Sequence, residues 1–224
     1  MKILHTSDWH LGHSLYNYDR SREQLAFLQQ LATIVGEEKP DVMVVSGDIY
    51  HYSTPSAATQ KMYTEGMLNV HKACPEMAMV VTAGNHDSSS KLEIDSSLWQ
   101  HFGVNVIGNI ERDRETINLD KHIIEITNDK EGKKGYVVAV PHIYPQNFPI
   151  LDADTPREER PSYFFQTLLN RTAQRNPEGL PVVLMAHLSI SGSDRSGHDE
   201  TVGGIEYVLL EELGKGYDYL ALGH

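Results

Sequence analysis

Short runs of apolar and β-branched residues recur along the chain, each bounded by Gly, Pro, Asp or Asn, and they predict buried strands. The runs are too short for the apolar pattern of a buried helix, which favours strands further. The predicted strands are Ile3–Thr6, Val42–Ser46, Ala78–Thr82, Val104–Ile107, Ile123–Thr127, Tyr136–Val140, Val182–Ala186 and Tyr219–Leu222.

Segments with apolar residues at helical spacing lie between several of these strands. The segment Thr54–Ala73 is predicted to be a helix, because Thr54 before Pro55 is typical of an N-cap followed by proline at N1. The first predicted helix, Arg22–Glu37, would pack on a sheet through one face made of Leu25, Leu28, Leu31, Ile34 and Val35. The other predicted helices are Glu93–Phe102, Ser162–Arg175 and Ile205–Leu213.

The order of these elements indicates the fold class. Strands and helices alternate in the first part of the chain, whereas Ile110–Pro141 is rich in strand and poor in helix. This favours a layered α/β or α+β fold, with helices outside the sheet, over a strictly parallel doubly wound fold. The loop-like segment Pro145–Pro161 is better explained as a long surface loop than as a domain boundary. A chain of 224 residues can form one such domain.

Polar side chains follow several of the predicted strands at the point where each strand ends. They are Asp8, His10, Asp48, Asn85, His187 and His224. Because ligands of open α/β sheets bind beyond the carboxyl ends of the strands, we expect these side chains to converge. Glycine precedes three of them, at Gly47, Gly84 and Gly223, where it allows a sharp turn and a close approach to a ligand.

This mixture of carboxylate, amide and imidazole groups suits Mn, Fe or Zn better than Ca. The set is larger than one ion needs, so it predicts two divalent ions about 3.5–4 Å apart, bridged by a carboxylate. Any one motif alone is more often a turn or a helix cap. Their joint occurrence at strand ends favours the metal centre.

Composition bounds the choice of partners and location. The chain has 19 basic and 31 acidic residues, a net charge of −12, which is a poor match for nucleic acid unless metal ions supply positive charge. A single cysteine, Cys74, excludes an internal disulfide. We see no secretion signal and no apolar run of membrane-spanning length, so we expect a soluble, cytoplasmic protein without membrane contact.

The motifs resemble a known superfamily. Gly47-Asp48, Gly84-Asn85-His86-Asp87 and Gly223-His224, with Asp8-x-His10 upstream, look like the calcineurin-like metallophosphoesterases over essentially the whole chain. That resemblance implies a two-sheet β-sandwich flanked by helices with a binuclear metal centre at one edge. The stretches "ILHTSDWHLG", "SGDIYHYSTPS", "AGNHDS" and "AHLSISGSDRS" are similar to the SbcD-type nucleases of DNA double-strand-break repair.

The resemblance implies a role for each motif residue. Asp8, His10 and a bridging Asp48 would hold one ion, and Asp48, Asn85, His187 and His224 the other, with Mn favoured over Fe or Zn. His86 would face the scissile phosphate, and His51 matches a second phosphate-facing position, with a surface histidine as its alternative. Arg20, Arg22 and Arg195 are candidate phosphate contacts, or simply solvated charges. Asp87 would orient His86, and Trp9 would pack beneath the metal loop or, alternatively, stack on a base.

The resemblance also implies an activity and partners. The activity would be metal-dependent DNA exonuclease or endonuclease cleavage in double-strand-break or hairpin processing, through a water activated by two metals. The alternatives are a phosphomonoesterase or small-nucleotide phosphodiesterase on the same site, and a scaffold without catalysis. A homodimer would form through helices near the metal domain, with Met62, Tyr63, Met67 and Leu68 in a suitable region or simply core.

We expect residues 1–224 to form one nuclease domain that is truncated at its C-terminal end. The family's last metal motif is Gly-His-x-His, so its second histidine would lie two positions past His224. The capping segment and the segment that binds an SbcC-type ABC ATPase would also lie beyond this chain.

Overall fold

The computed structural model describes residues 1–113, 116–128, 132–191 and 208–224. The strands are β1 (Ile3–Thr6), β2 (Ser14–Leu15), β3 (Tyr18–Asp19), β4 (Val42–Ser46), β5 (Ala78–Thr82), β6 (Val104–Ile107), β7 (Arg112–Asp113), β8 (Thr116–Ile117), β9 (Ile123–Asn128), β10 (Gly132–Ala139), β11 (Val182–His187) and β12 (Tyr219–Gly223). The α-helices are α1 (Ser21–Glu38), α2 (Ala57–Ala73), α3 (Ser89–Leu92), α4 (Ser96–Gln100) and α5 (Arg160–Arg175).

Two four-stranded sheets form the centre of the fold. The first is entirely parallel, in the order β1-β4-β5-β6. The second has the order β12-β11-β10-β9, and only β9 runs antiparallel to its neighbour. β2 with β3 and β7 with β8 form small antiparallel hairpins.

Alternation of side chains along the strands sorts the core into three layers. In β4, Val42 and Val44 face the second sheet, where they pack with residues such as Val137 and Met185. Their neighbours Met43 and Val45 belong to the layer beneath α1 and α2. The outer face of the second sheet packs against α5 through a third apolar layer. The structure is therefore a two-sheet sandwich with helices on both outer faces, which confirms the predicted fold class.

All eight predicted strands are present, four with the predicted ends and four with ends that differ by one to four residues, and the helix predictions need larger corrections. In α1 the buried stripe is Gln24, Leu28, Leu31 and Val35. Leu25 and Ile34 were expected in this stripe but are 41% and 38% exposed, because they lie to either side of its narrow face.

The remaining helix boundaries also differ from prediction. The N-cap of α2 is Ser56 rather than Thr54, and its hydroxyl accepts the Thr59 N–H. The predicted helix Glu93–Phe102 is shorter and begins only at Ser96, after a break where Glu93 accepts backbone N–H groups from the loop that follows β6. Of the predicted helix Ile205–Leu213, residues 205–207 lie outside the described residues, and the described part contains a 3-10 turn, Leu210–Leu213. Within the described residues, no helix combines the length and the apolar character needed to cross a membrane.

Candidate metal centre

Loops from both sheets meet at the carboxyl ends of β1, β4, β5, β11 and β12. The backbone N–H of Asp8 donates to Gly47 O at 3.1 Å, and that of His10 donates to Asp48 O at 3.0 Å, so the loops after β1 and β4 are joined. Asp8, His10 and Asp48 have φ values of 55°, 44° and 51°. The left-handed backbone conformation at these three positions is strained, and the surrounding hydrogen bonds hold it in place.

The first cluster consists of Asp8, His10 and Asp48, each of which offers a ligand atom within 4.8 Å of the other two. His10 Nε2 lies 4.0 Å from Asp8 Oδ1 and 3.6 Å from Asp48 Oδ2. Asp48 is 2% exposed, whereas Asp8 and His10 are half-buried. Burial outweighs the charge of Asp48 and lowers the pKa of His10, which favours the neutral ring that can bind a cation.

The second cluster consists of Asp48, His187 and His224, and it shares Asp48 with the first. His187 Nε2 lies 3.4 Å from Asp48 Oδ2 and 3.0 Å from Asn85 Oδ1. The backbone N–H of His224 lies 3.3 and 3.2 Å from the two carboxylate oxygens of Asp8, and it ties the end of β12 to the loop after β1. The structure thus brings together all six side chains predicted as ligands.

These atoms fit divalent ions. His187 Nδ1 lies 2.7 Å from Ser46 O and donates its proton there, so Nε2 faces the Asp48 and Asn85 oxygens, where it either donates a proton to Asp48 or, once deprotonated, offers a lone pair to a cation. Three acceptor atoms that converge in a buried site need a cation or a proton between them. Ligand atoms 2.0–2.2 Å from one ion lie roughly 3.0–3.6 Å apart, as the His187, Asp48 and Asn85 atoms do. In the first cluster the 3.6 Å separation of His10 and Asp48 fits this range, and the 4.0 Å separation of His10 and Asp8 needs a small inward shift to hold an ion.

The shared carboxylate has a strongly perturbed pKa. Burial alone would raise the pKa of Asp48, but the hydrogen bond and charge of His187 and the backbone N–H of His86 outweigh it, so the pKa falls to about 2. For His187, burial opposes the charged form, yet the Asp48 carboxylate raises its pKa. Asp48 is therefore ionised at neutral pH and available to bridge two cations.

His51 and His86 lie beside the first cluster. The His86 ring contacts the rings of His10 and His51, with centroids 4.8 and 5.3 Å away. His86 Nδ1 donates to His51 O at 2.9 Å, which leaves Nε2 as the free ring atom. Burial and the neighbouring histidines lower the pKa of His51 to about 4, so its ring is neutral at pH 7.

Asp87 and Trp9 support the loops rather than the chemistry. The Asp87 carboxylate accepts backbone N–H groups of Ile49 at 3.1 Å, Tyr50 at 2.9 Å and Gly84 at 2.8 Å, which joins the loops after β4 and β5. It therefore holds in place the loop that carries His86. Trp9 is 7% exposed and its indole N–H donates to Thr6 Oγ1 at 3.0 Å, so it packs beneath the metal loop and cannot offer a face to a base.

The three arginines predicted as candidate phosphate contacts have different outcomes. Arg20 lines a cavity of about 360 Å³ together with Asp8, His10 and His13, so it reaches the edge of the candidate centre. Arg195 lies outside the described residues. Arg22 is exposed on the first turn of α1.

Sequence reasoning missed His142. Its backbone N–H donates to Ala83 O at 2.8 Å, and its Nδ1 donates to His187 O at 3.1 Å, so it holds a ligand loop of each sheet. Its Nε2 is buried without a hydrogen-bond partner among the described residues, and burial lowers its pKa to about 4. The signal that could have found it is its place just after a predicted strand, in Val140-Pro141-His142.

Comparison with known proteins finds relatives that are named as nucleases. Curated relatives named as the SbcD subunit of the SbcCD nuclease are 31% identical over 233 residues in Rhodobacter capsulatus, 29% over 229 in Bacillus subtilis and 26% over 235 in Escherichia coli K12. Each match covers 100% of this chain and 56–57% of the relative, so the chain spans little more than half the length of these relatives.

A family model described as calcineurin-like phosphoesterase matches residues 1–224. Together with the names of the relatives, this match confirms both resemblances drawn from the motifs. The chain belongs to the calcineurin-like phosphoesterase family.

Proposed function

We propose that residues 1–224 form the nuclease domain of an SbcD-type DNA repair protein, which hydrolyses phosphodiester bonds with two divalent ions. The observation that carries the proposal is the pair of ligand clusters that share the buried carboxylate of Asp48. A shared carboxylate between two ligand sets is the arrangement used to activate water and to neutralise charge in phosphoryl transfer. The names of the relatives support a nuclease, and DNA as its substrate rests on the motif resemblance.

The positions of the ligands support the roles that the motif resemblance implies. Asp8, His10 and Asp48 would hold one ion, and Asp48, Asn85, His187 and His224 the other. When bound, the ions would lower the pKa of a water and offset the negative charge of the phosphate. Ser46 O keeps His187 in the tautomer that a cation requires.

His86 would exchange a proton with the leaving oxygen. Its Nδ1–H is bonded to His51 O, so Nε2 is the atom that can act on substrate. His51, whose ring is neutral at pH 7, would be a second histidine that faces the scissile phosphate. Arg20 would contact the phosphate backbone of the DNA from the adjacent cavity. Bound cations would reduce the local effect of a net charge of −12.

For the metal we propose Mn²⁺, because the two clusters mix carboxylate, amide and imidazole ligands. The domain would continue past residue 224. A histidine two positions later would complete the first ion's ligands, and the capping and ATPase-binding segments would follow.

The partners remain predictions. An SbcC-type ATPase would need the segments beyond residue 224. Met62, Tyr63 and Met67 are 8%, 4% and 0% exposed and belong to the core, in agreement with the alternative predicted for them, whereas Leu68 is partly exposed. A homodimer through the helices near the metal domain would therefore use their exposed side chains rather than these three. Light scattering of the chain measures its oligomeric state directly.

The test compares Mn²⁺-dependent cleavage of end-labelled DNA by this chain and by a version extended past residue 224, each with and without His86→Ala. We expect the extended protein to cleave DNA, and His86→Ala to reduce its rate by about 10²–10⁴-fold while metal binding persists. Inorganic phosphate from a generic monoester, without cleavage of DNA, would support the phosphatase alternative. Equal rates with and without His86, or no metal bound, would refute the proposal.

A further inference from the structure

Three imidazoles lie together beside the ligand clusters. His10, His51 and His86 each offer a ring nitrogen within 4.8 Å of the other two, and all three residues are half-buried. The two-metal assignment uses only His10 of this group as a ligand. The triad therefore has a coordinating capacity that the proposed hydrolysis does not use.

One spacing in the triad fits a tetrahedral ion as it stands: His10 Nδ1 lies 3.4 Å from His51 Nδ1. Two nitrogens bound to one zinc ion at about 2.0–2.1 Å lie ~3.3–3.4 Å apart in tetrahedral geometry. The fourth position would open to solvent, because the three side chains are only half-buried.

The ligands are held in place before any ion binds. The His86 ring donates from Nδ1 to His51 O at 2.9 Å, which leaves the Nε2 lone pair free. The backbone N–H groups fix the loops: His10 donates to Asp48 O at 3.0 Å, and His51 to Leu11 O at 3.1 Å. Little ordering is therefore needed to bring the three rings together.

His10 links this triad to the first cluster. Its Nε2 faces Asp8 and Asp48, whereas its Nδ1 faces His51. A neutral imidazole has one lone pair, so it can bind a cation on one side only and donates its N–H on the other. An ion on Nδ1 leaves Nε2–H directed at the carboxylates, and that tautomer cannot be a ligand of the first cluster.

We infer that His10, His51 and His86 form a third site, for one borderline transition-metal ion such as Zn²⁺, whose occupation excludes an ion from the Asp8–His10–Asp48 cluster. Three imidazoles without a carboxylate favour Zn²⁺ over Mn²⁺, which prefers oxygen ligands. Insofar as the proposed nuclease function holds, Zn²⁺ bound here would inhibit cleavage, and excess Mn²⁺ would relieve the inhibition by competition for His10.

The test measures Zn²⁺ binding by calorimetry without DNA, and visible absorption with Co²⁺ as a tetrahedral probe. It compares the metal-stripped chain with His51→Ala and with the control His13→Ala, whose ring contacts His51 but lies outside the triad. Circular dichroism verifies that the variants fold. Because an ion in the triad excludes one from the Asp8–His10–Asp48 cluster, the number of ions bound per chain can stay the same in His51→Ala. We expect His51→Ala to lose the absorption of tetrahedral Co²⁺ held by three imidazoles and to bind the Zn²⁺ that depends on His10 at least tenfold more weakly, and His13→Ala to bind as the parent does.

An unchanged Co²⁺ spectrum and Zn²⁺ affinity in His51→Ala would overturn the inference, as would equal losses in both variants. These outcomes are separate from the nuclease assay. A chain that binds the triad ion but never cleaves DNA would refute the proposed function alone. A chain whose extended form cleaves DNA, but whose Zn²⁺ binding ignores His51, would refute the third site alone.

Discussion

Gly47→Ala should displace a metal ligand, and it should therefore lower the free energy of unfolding by more than the strain of a left-handed alanine alone. Gly47 has a φ of +83°, and a Cβ at this position would lie 2.5 Å from His187 Cγ and 2.8 Å from its Cβ. The left-handed conformation costs about 1–2 kcal/mol for alanine. The overlap must displace His187, which is 0% exposed and donates to Ser46 O. Loss of that buried hydrogen bond adds about 1–3 kcal/mol.

The sum is a loss of about 2–5 kcal/mol in the free energy of unfolding. The matched control is Gly179→Ala, because Gly179 has a φ of +65° and an added Cβ meets nothing within 4 Å. The control should lose only the conformational cost of about 1–2 kcal/mol. The difference between the two variants isolates the contact with His187.

Urea unfolding in chelator measures the stability of both variants, and calorimetry with Mn²⁺ measures metal binding. We expect at least tenfold weaker Mn²⁺ binding for Gly47→Ala, because displacement of His187 removes a ligand of the second cluster. Equal stability of the two variants, or unchanged Mn²⁺ affinity in Gly47→Ala, would show that His187 is not fixed by this close approach.

Two further predictions concern the carboxylates. The folded pKa of Asp48 is about 2 against an ordinary 3.8, so its contribution is present above pH 3.8 and lost as the pH falls through 2. In chelator, the stability advantage of the parent over Asp48→Asn should therefore shrink by about 2 kcal/mol between about pH 5 and about pH 2, and an advantage independent of pH would contradict the assignment. Asp87→Ala should cost about 3 kcal/mol or more in urea unfolding, because it leaves the N–H groups of Ile49, Tyr50 and Gly84 without their acceptor. Asp87→Asn keeps one acceptor oxygen and should lose less, so equal losses would contradict the argument.

The sequence predicts the sheets and the ligand positions well for a physical reason. β4 is buried at every position, and β5 at all but its first. Such strands appear in the sequence as continuous apolar runs, so the residue at which each strand ends can be located from the sequence. Side chains just past those ends, such as Asp48 and Asn85, must then meet at one edge of the sandwich. Local pattern and topology suffice for this part of the centre.

Features that depend on contacts between distant loops were not predictable. His142 donates a hydrogen bond to the carbonyl of His187, and this contact depends on the register of β10 and β11 rather than on any sequence motif. The position of Met62 and Met67 in the core also depends on how α2 packs against α1 and the sheet. The periodicity of α2 shows that one face is apolar but not which surface covers it.

The bond between His224 N–H and the Asp8 carboxylate spans 216 residues of sequence. Every strand of the first sheet lies within residues 1–107, so its pairing requires no contact with β11 or β12. The centre, by contrast, is complete only when this long-range contact is made, and contacts between residues so far apart in sequence carry a large loop-closure cost. A cation held by ligands from both sheets would bind only the folded protein. By mass action it would therefore stabilise the contact between the sheets against unfolding.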